Sequence, residues 1–167
     1  MKVRELLRQR PWIGIAVCFG AVLIAAASVW ATLRSSEPAM PLMPASVFFS
    51  DDDGKTYFAD DSARISGFDH AGKTAYQAAV FQCGHGSPFV GYLIKFNASG
   101  KSALEQIPDA ERRANSSQAW GIRQTSSLIK RPSDKSWISL DGAAAANQVL
   151  NPPCPDNSSD TPHQILP

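Results

Sequence analysis

Hydrophobic and polar positions divide the chain into two regimes. Residues 11–33 carry no charge, and the run from Trp12 to Leu33 shows no polar stripe. From Ser46 onward, short apolar runs alternate with punctuation rich in Gly, Pro and Asp. As a helix rising about 1.5 Å per residue, residues 12–33 span about 33 Å, close to the roughly 30 Å hydrocarbon core of a bilayer. Trp12 and Trp30 stand near the two ends, where amphipathic rings favour the interface. Pro11 suits a first helical turn, because its missing N–H has no partner to lose there. The pattern predicts a single-pass transmembrane helix over 12–33, with the lipid bilayer as its partner.

Charge orients that element. Residues 1–10 hold Lys2, Arg4, Arg8 and Arg10 against Glu5, while the whole chain is only +1. The positive-inside rule keeps the basic n-region, 1–11, in the cytoplasm and puts the C-terminal domain outside it, at the cell (inner) membrane. A cleavable signal peptide is the rival reading. It too begins basic, and Ala25-Ala26-Ala27 or the Trp30-Ala31 region would serve for cleavage. A retained signal anchor is preferred, since the apolar run exceeds the usual h-region of roughly 7–15 residues. Cys18 follows Val17 instead of a small residue, so it reads as apolar filler and not as a lipidation site. Pro38, Pro41 and Pro44 make 34–45 a Pro-rich extended linker and stop any helix there, unlike the continuous stalk of pilin-type subunits.

Beyond the linker the periodicity predicts a small α+β domain over 46–150, with an antiparallel sheet of two hairpins and one or two short helices. Ser46–Ser50 and 55–59 flank Asp51-Asp52-Asp53-Gly54, a strong hairpin signal. Residues 60–73 read as loop. Residues 76–83 and Phe89–Phe96 form the second hairpin around Gly84-His85-Gly86-Ser87-Pro88. Asn97 or Ser99 caps a helix over 101–115, which Pro108 splits. The stretch 120–140, with Ile122, Leu128, Ile129, Trp137 and Ile138, alternates like a further strand. Ala143–Leu150 is a short helix, and 151–167, rich in Pro, Ser and Asp, is a disordered tail.

Candidate chemistry is sparse. Asp51 and Asp53 before Gly54 would be metal ligands in a calcium loop of the EF-hand kind, but its first ligand position falls on Phe49. An acidic hairpin turn is the preferred reading. Cys83-Gly84-His85 offers two further metal candidates, Cys83 and His85, which Cys154 and His163 would complete without any known zinc spacing. A disulfide between Cys83 and Cys154 is preferred, because an oxidising compartment and a small domain both favour pairing. Cys83 with His70 or His85, and acids such as Asp60 or Asp69, would make a hydrolase only by sharing one pocket. No catalytic residue and no cofactor is expected.

The near-zero net charge excludes a general nucleic-acid binder. Charge is nonetheless polarised. Residues 46–69 hold six Asp against Lys55 and Arg64, and 95–135 hold eight basic residues against four acidic ones. Arg112-Arg113 and Lys130-Arg131 would form a basic face for an anionic partner, with a solvated mixed surface as the favoured alternative.

The strings FFSDDDGKTYFADD, FDHAGKTAYQAAVFQC, FVGYLIKF, RPSDKSW and PPCPDN, in this order over about 46–157, resemble an uncharacterised group of short single-pass membrane-anchored bacterial proteins. The resemblance implies a bacterial, envelope-facing setting and carries over no functional residues. The reading that follows is a non-enzymatic envelope binding or accessory module, with an envelope protein as partner. The alternative is a metal-binding or redox-active exported domain using Cys83, His85 and Cys154.

Overall fold

A computed structural model describes residues 43–156 and 159–167, together with residues 22, 25 and 28–30. The chain divides into two units, Met1–Ala39 and Met40–Pro167.

In the first unit, residues 22, 25 and 28–30 are helical. The transmembrane helix expected over 12–33 is corrected: no helix among the described residues is long and apolar enough to cross a membrane. The ten-residue helix Ser117–Ser126 reaches only about 15 Å, against a hydrocarbon core of roughly 30 Å. The basic n-region, the rest of 12–33 and linker residues 34–42 lie outside the described residues.

The second unit is α+β with an antiparallel sheet. In chain order it contains β1 (Ser46–Ser50), β2 (Phe58–Asp61), β3 (Phe68–His70), β4 (Lys73–Cys83) and β5 (Phe89–Phe96). Then come α1 (Ala98–Glu105), α2 (Asp109–Arg113), α3 (Ser117–Ser126), β6 (Ser127–Lys130), β7 (Ile138–Ser139), α4 (Ala143–Leu150) and β8 (Pro162–Ile165). The sheet runs β2-β1-β4-β5-β6-β7, and β3 and β8 also pair with β4.

Strand β4 is the hub. It carries three Ala, one Val and two aromatic residues, and Ala78, Ala79, Val80 and Phe81 are consecutively buried. Such a run fits a strand covered on both faces. Ala79 and Phe81 pack with Tyr92, Ile129, Ala146 and Val149, so α4 covers that face. Ala78 and Val80 pack with Val90 and Leu93, bordered by Phe48 and Trp137. A third cluster, Phe96, Leu104, Ile107 and Ala119, joins α1 and α3 to the end of β5.

Strand β5 does not keep simple alternation. Ala79 faces Tyr92 but Val80 faces Val90, so Gly91 is an extra residue in the ladder. The bulge reverses the phase of the strand, which lets Val90 and Leu93 enter the same cluster three positions apart. A Cβ on Gly91 would stand 2.6 Å from Phe81 Cδ2 and 2.7 Å from Pro152 Cγ. Glycine is therefore required there by close approach of neighbours.

Ser66 joins two parts of the sheet. Its buried hydroxyl accepts from the Gln77 N–H at 3.0 Å and donates to the Ile94 carbonyl. Those are facing residues of β4 and β5, so one side chain replaces a missing ladder bond where β4 leaves β5.

The helices follow from their caps. Asn97 Oδ1 accepts from Gly100 N at 2.8 Å and starts α1. Pro108 starts α2, and Ser116 Oγ accepts from Ala119 N at 3.3 Å to start α3. The buried Arg112 binds the carbonyl of Leu104 at 3.1 Å and that of Ile107, satisfying acceptors at the end of α1.

Several boundaries differ from expectation. The first hairpin is present, but β2 starts at Phe58, because Ser50 and Asp52 organise a wider loop. The supposed loop 60–73 contains β3, which continues the β4 ladder past the end of β5. The supposed strand over 120–140 begins as helix, with Ile122 on α3; only β6 and β7 are extended. Four helices occur in the described part of the domain, more than the one or two expected. The tail, expected to be disordered, forms β8, which pairs Val80 with Ile165 and Cys83 with Pro162.

The bulge gives a direct test. Gly91→Ala should destabilise the domain by about 1–3 kcal/mol through overpacking against Phe81 and Pro152. Urea unfolding of the two proteins measures it, and an unchanged midpoint would mean that the bulge has room for a side chain.

Candidate functional site

The residues singled out in the sequence do not converge on one place. Cys83 and Cys154 form a disulfide, with sulfurs 2.06 Å and Cα atoms 6.0 Å apart. It ties the end of β4 to the segment before β8, and both cysteines are buried. His85 lies exposed in the turn after β4, and His163 lies exposed on β8 opposite Gln82. His70 is opposite Lys73, ten positions along β4 from Cys83. At about 3.3 Å per residue that is roughly 33 Å, so His70 and Cys83 cannot share a catalytic pocket. Among the described residues, no group of three His, Cys, Asp or Glu side chains is placed to hold a metal.

The acidic turn is committed to the fold. Asp51 pairs with His70 Nδ1 at 2.8 Å, and the His70 ring stacks on Phe58 at 4.1 Å. Asp52 accepts from the Thr56 N–H at 2.9 Å, the Thr56 hydroxyl at 2.7 Å and the Ser50 hydroxyl at 2.9 Å. The Thr56 N–H leads the effects that hold its carboxyl down at about 2. Asp53 and Gly54 are both left-handed, with φ of 63° and 83°. Asp53 reaches Lys130 and accepts from the Ser133 N–H at 3.0 Å. Burial raises the Asp53 carboxyl, but the Lys130 ammonium and the Ser133 N–H outweigh it and leave the group lowered. The three carboxylates thus point to three different partners, which is not the convergence a cation needs.

The basic face is likewise consumed. Arg112 binds the carbonyls of Ala63, Leu104 and Ile107 and the carboxylate of Asp109. Arg113 pairs with Asp61, lowering that carboxyl. Lys130 is buried against Asp53 and lies 5.6 Å from the centre of the Trp137 ring. Arg131 binds the carbonyl of Gln148. A polar cavity of about 420 Å³ opens among Asp60, Asp61, Arg64, Asp109 and Arg112, but its charges pair with one another or with Arg113.

A second cavity, of about 260 Å³, differs in kind. Met43, Ile94, Phe96, Trp120, Ser127 and Arg123 are among its lining residues. It lies between the β5–β6 edge and α3. Arg123 Nε and Nη2 are buried with no hydrogen-bond partner, while its guanidinium carbon is 5.8 Å from the centre of the Phe96 ring. Burial lowers the Arg123 pKa, and the like charge of Arg112 adds to the effect. Arg123, which lines this largely apolar space while its Nε and Nη2 are screened from solvent, is the candidate site. The sequence reading did not single out Arg123. Its only signal is local: Trp120 and Arg123 stand three apart and so share one face of α3.

Compared with known proteins, the chain matches no family model, no curated protein and no solved structure.

The lowered carboxyls define a pH dependence. A group held below its ordinary 3.8 contributes stability that is present above that value and lost as pH falls through the folded one. The contribution of these carboxyls to the urea midpoint should be constant above about pH 5 and fall away between about pH 4 and pH 2. Asp52→Asn should flatten part of that fall. An equally steep fall in the variant would remove Asp52 from the account.

Proposed function

We propose that this chain works outside the cytoplasm as a non-enzymatic binding or accessory module of the bacterial cell envelope. The observation that carries the reading is the buried Cys83–Cys154 bond between β4 and the segment before β8. Disulfides persist in oxidising compartments and are rare in the cytosol, and they staple domains whose cores are small. Here the cross-link closes a loop of sequence separation 71 and holds β8 against β4. A bond of this span contributes about 3–5 kcal/mol when the unfolded chain is the part constrained.

The dispersal of the titratable candidates supports binding over catalysis. With Cys83 and Cys154 bonded to each other, neither offers a thiolate to a metal or a substrate. His85 and His163 are exposed on separate elements, and Asp51 is held by His70. The metal-binding or redox-active reading would require the cysteines to be reduced in the working protein.

Thiol titration of the denatured chain decides between the two. The sequence has three cysteines, so one reactive thiol, that of Cys18, is expected before reduction and three after it. Cys83→Ala should lower the urea midpoint about as much as reduction does. Three free thiols in protein recovered from its native compartment would sink the reading.

A further inference from the structure

We propose that the cavity beside α3 binds a compact monocarboxylate with an apolar body, gripped by the guanidinium of Arg123; the site deepens the binding-module reading and rests on it. Nε and Nη2 form one edge of the guanidinium, the edge that meets both oxygens of a carboxylate in a side-on pair of hydrogen bonds. Both of those atoms are buried and without a hydrogen-bond partner. The two cations buried as whole residues are matched, and Arg131, whose Nε also lacks a partner, keeps one bond from Nη2 to the Gln148 carbonyl. Arg112 has three carbonyls and Asp109, and Lys130 has Asp53. Among the described residues, no Asp or Glu lines the Arg123 cavity.

The remaining lining decides the rest of the ligand. Met43, Ile94, Phe96 and Trp120 offer aliphatic and aromatic contact, which suits a hydrocarbon or aryl body. At roughly 30 Å³ per water-sized group, 260 Å³ holds about nine heavy atoms, so the occupant is a small molecule. A single cation matches one negative charge, whereas a phosphate dianion calls for a cluster of donors. The fork is screened from solvent, so entry of the ligand entails the side-chain adjustment common at binding surfaces.

The test uses the full oxidised chain, titrated calorimetrically with sodium hexanoate and sodium phenylacetate, which separate an aliphatic from an aryl body. Acetate carries the charge without the body, and 1-hexanol the body without the charge. One-site binding of at least one probe, at least about tenfold tighter than either control, is the expected result. Arg123→Met should weaken it by at least about tenfold. Arg123→Lys should weaken it as well, because an ammonium lacks the fork. The Met variant should also melt at a higher temperature without ligand, since it removes two buried donors that have no acceptor. No saturable binding of either probe, equal binding of 1-hexanol, unchanged binding by both Arg123 variants, or a lower melting temperature for Arg123→Met would each overturn the site. Loss of binding with the disulfide intact would leave the extracytoplasmic reading standing. Binding by a chain whose Cys83 and Cys154 are free would do the reverse.

Discussion

Strand β4 must satisfy a ladder of backbone groups along eleven residues while apolar side chains cover both of its faces. A buried N–H or carbonyl without a partner costs about as much as a lost hydrogen bond, so every segment of this strand needs a neighbour. No single partner is long enough. β3 takes the first three residues, β1 and β5 the middle, and β8 the last four. Where β5 gives way to β3, the Ser66 hydroxyl closes the gap between Gln77 and Ile94. The disulfide acts on the same strand. It joins Cys83 at the end of β4 to Cys154, so the segment that supplies β8 is held near the edge it completes.

That requirement explains what the sequence made legible. The second hairpin was readable because a Gly- and Pro-containing turn separates two long apolar runs, and α1 because Asn97 precedes it. α4 was readable because its run of alanines is a strong helix former. The bulge at Gly91 was not. FVGYLIKF alternates acceptably either way, and only contact with Phe81 and Pro152 selects the shifted phase. β8 has two exposed residues in four and no apolar periodicity of its own. It is extended because β4 offers it an open edge, which is information held elsewhere in the chain. For α3, Ile122, Leu128 and Ile129 imitate strand alternation, and the deciding Ser116 cap is a local bond that hydropathy does not register.

The charge pattern has the same non-local origin. An acidic stretch near 46–69 and a basic one near 95–135 invite the idea of an anionic partner. In the folded chain they meet each other. Asp61 pairs with Arg113 across 52 positions and Asp53 with Lys130 across 77. Exposed pairs of this kind contribute little individually, at about 0–1 kcal/mol. The Lys130–Asp53 pair is different because Lys130 is buried, and removing one partner would strand a charge in the core. Gly54 beside it has no room for a Cβ against Pro132. The acidic turn is therefore a clamp between the first hairpin and the β6–β7 connection, and its carboxylates are held in place by the fold.

Arg123 is the exception against which these pairings are informative. Folding left it with burial that lowers its pKa, a like charge nearby and two donors without acceptors. An arrangement of that kind reduces stability, since Nε and Nη2 lose water without gaining an acceptor, and the contact with the Phe96 ring is distant at 5.8 Å. A domain that matches Arg112 and Lys130 so fully has the means to match a half-buried guanidinium, and the simplest accommodation would be an apolar residue of similar volume. Proteins keep such costs chiefly where a site needs the unpaired group for its ligand. The asymmetry between the Arg123 fork and the fully paired Arg112 and Lys130, beside a cavity whose lining includes Met43, Ile94, Phe96 and Trp120, is what turns a local deficit in hydrogen bonding into an argument about binding.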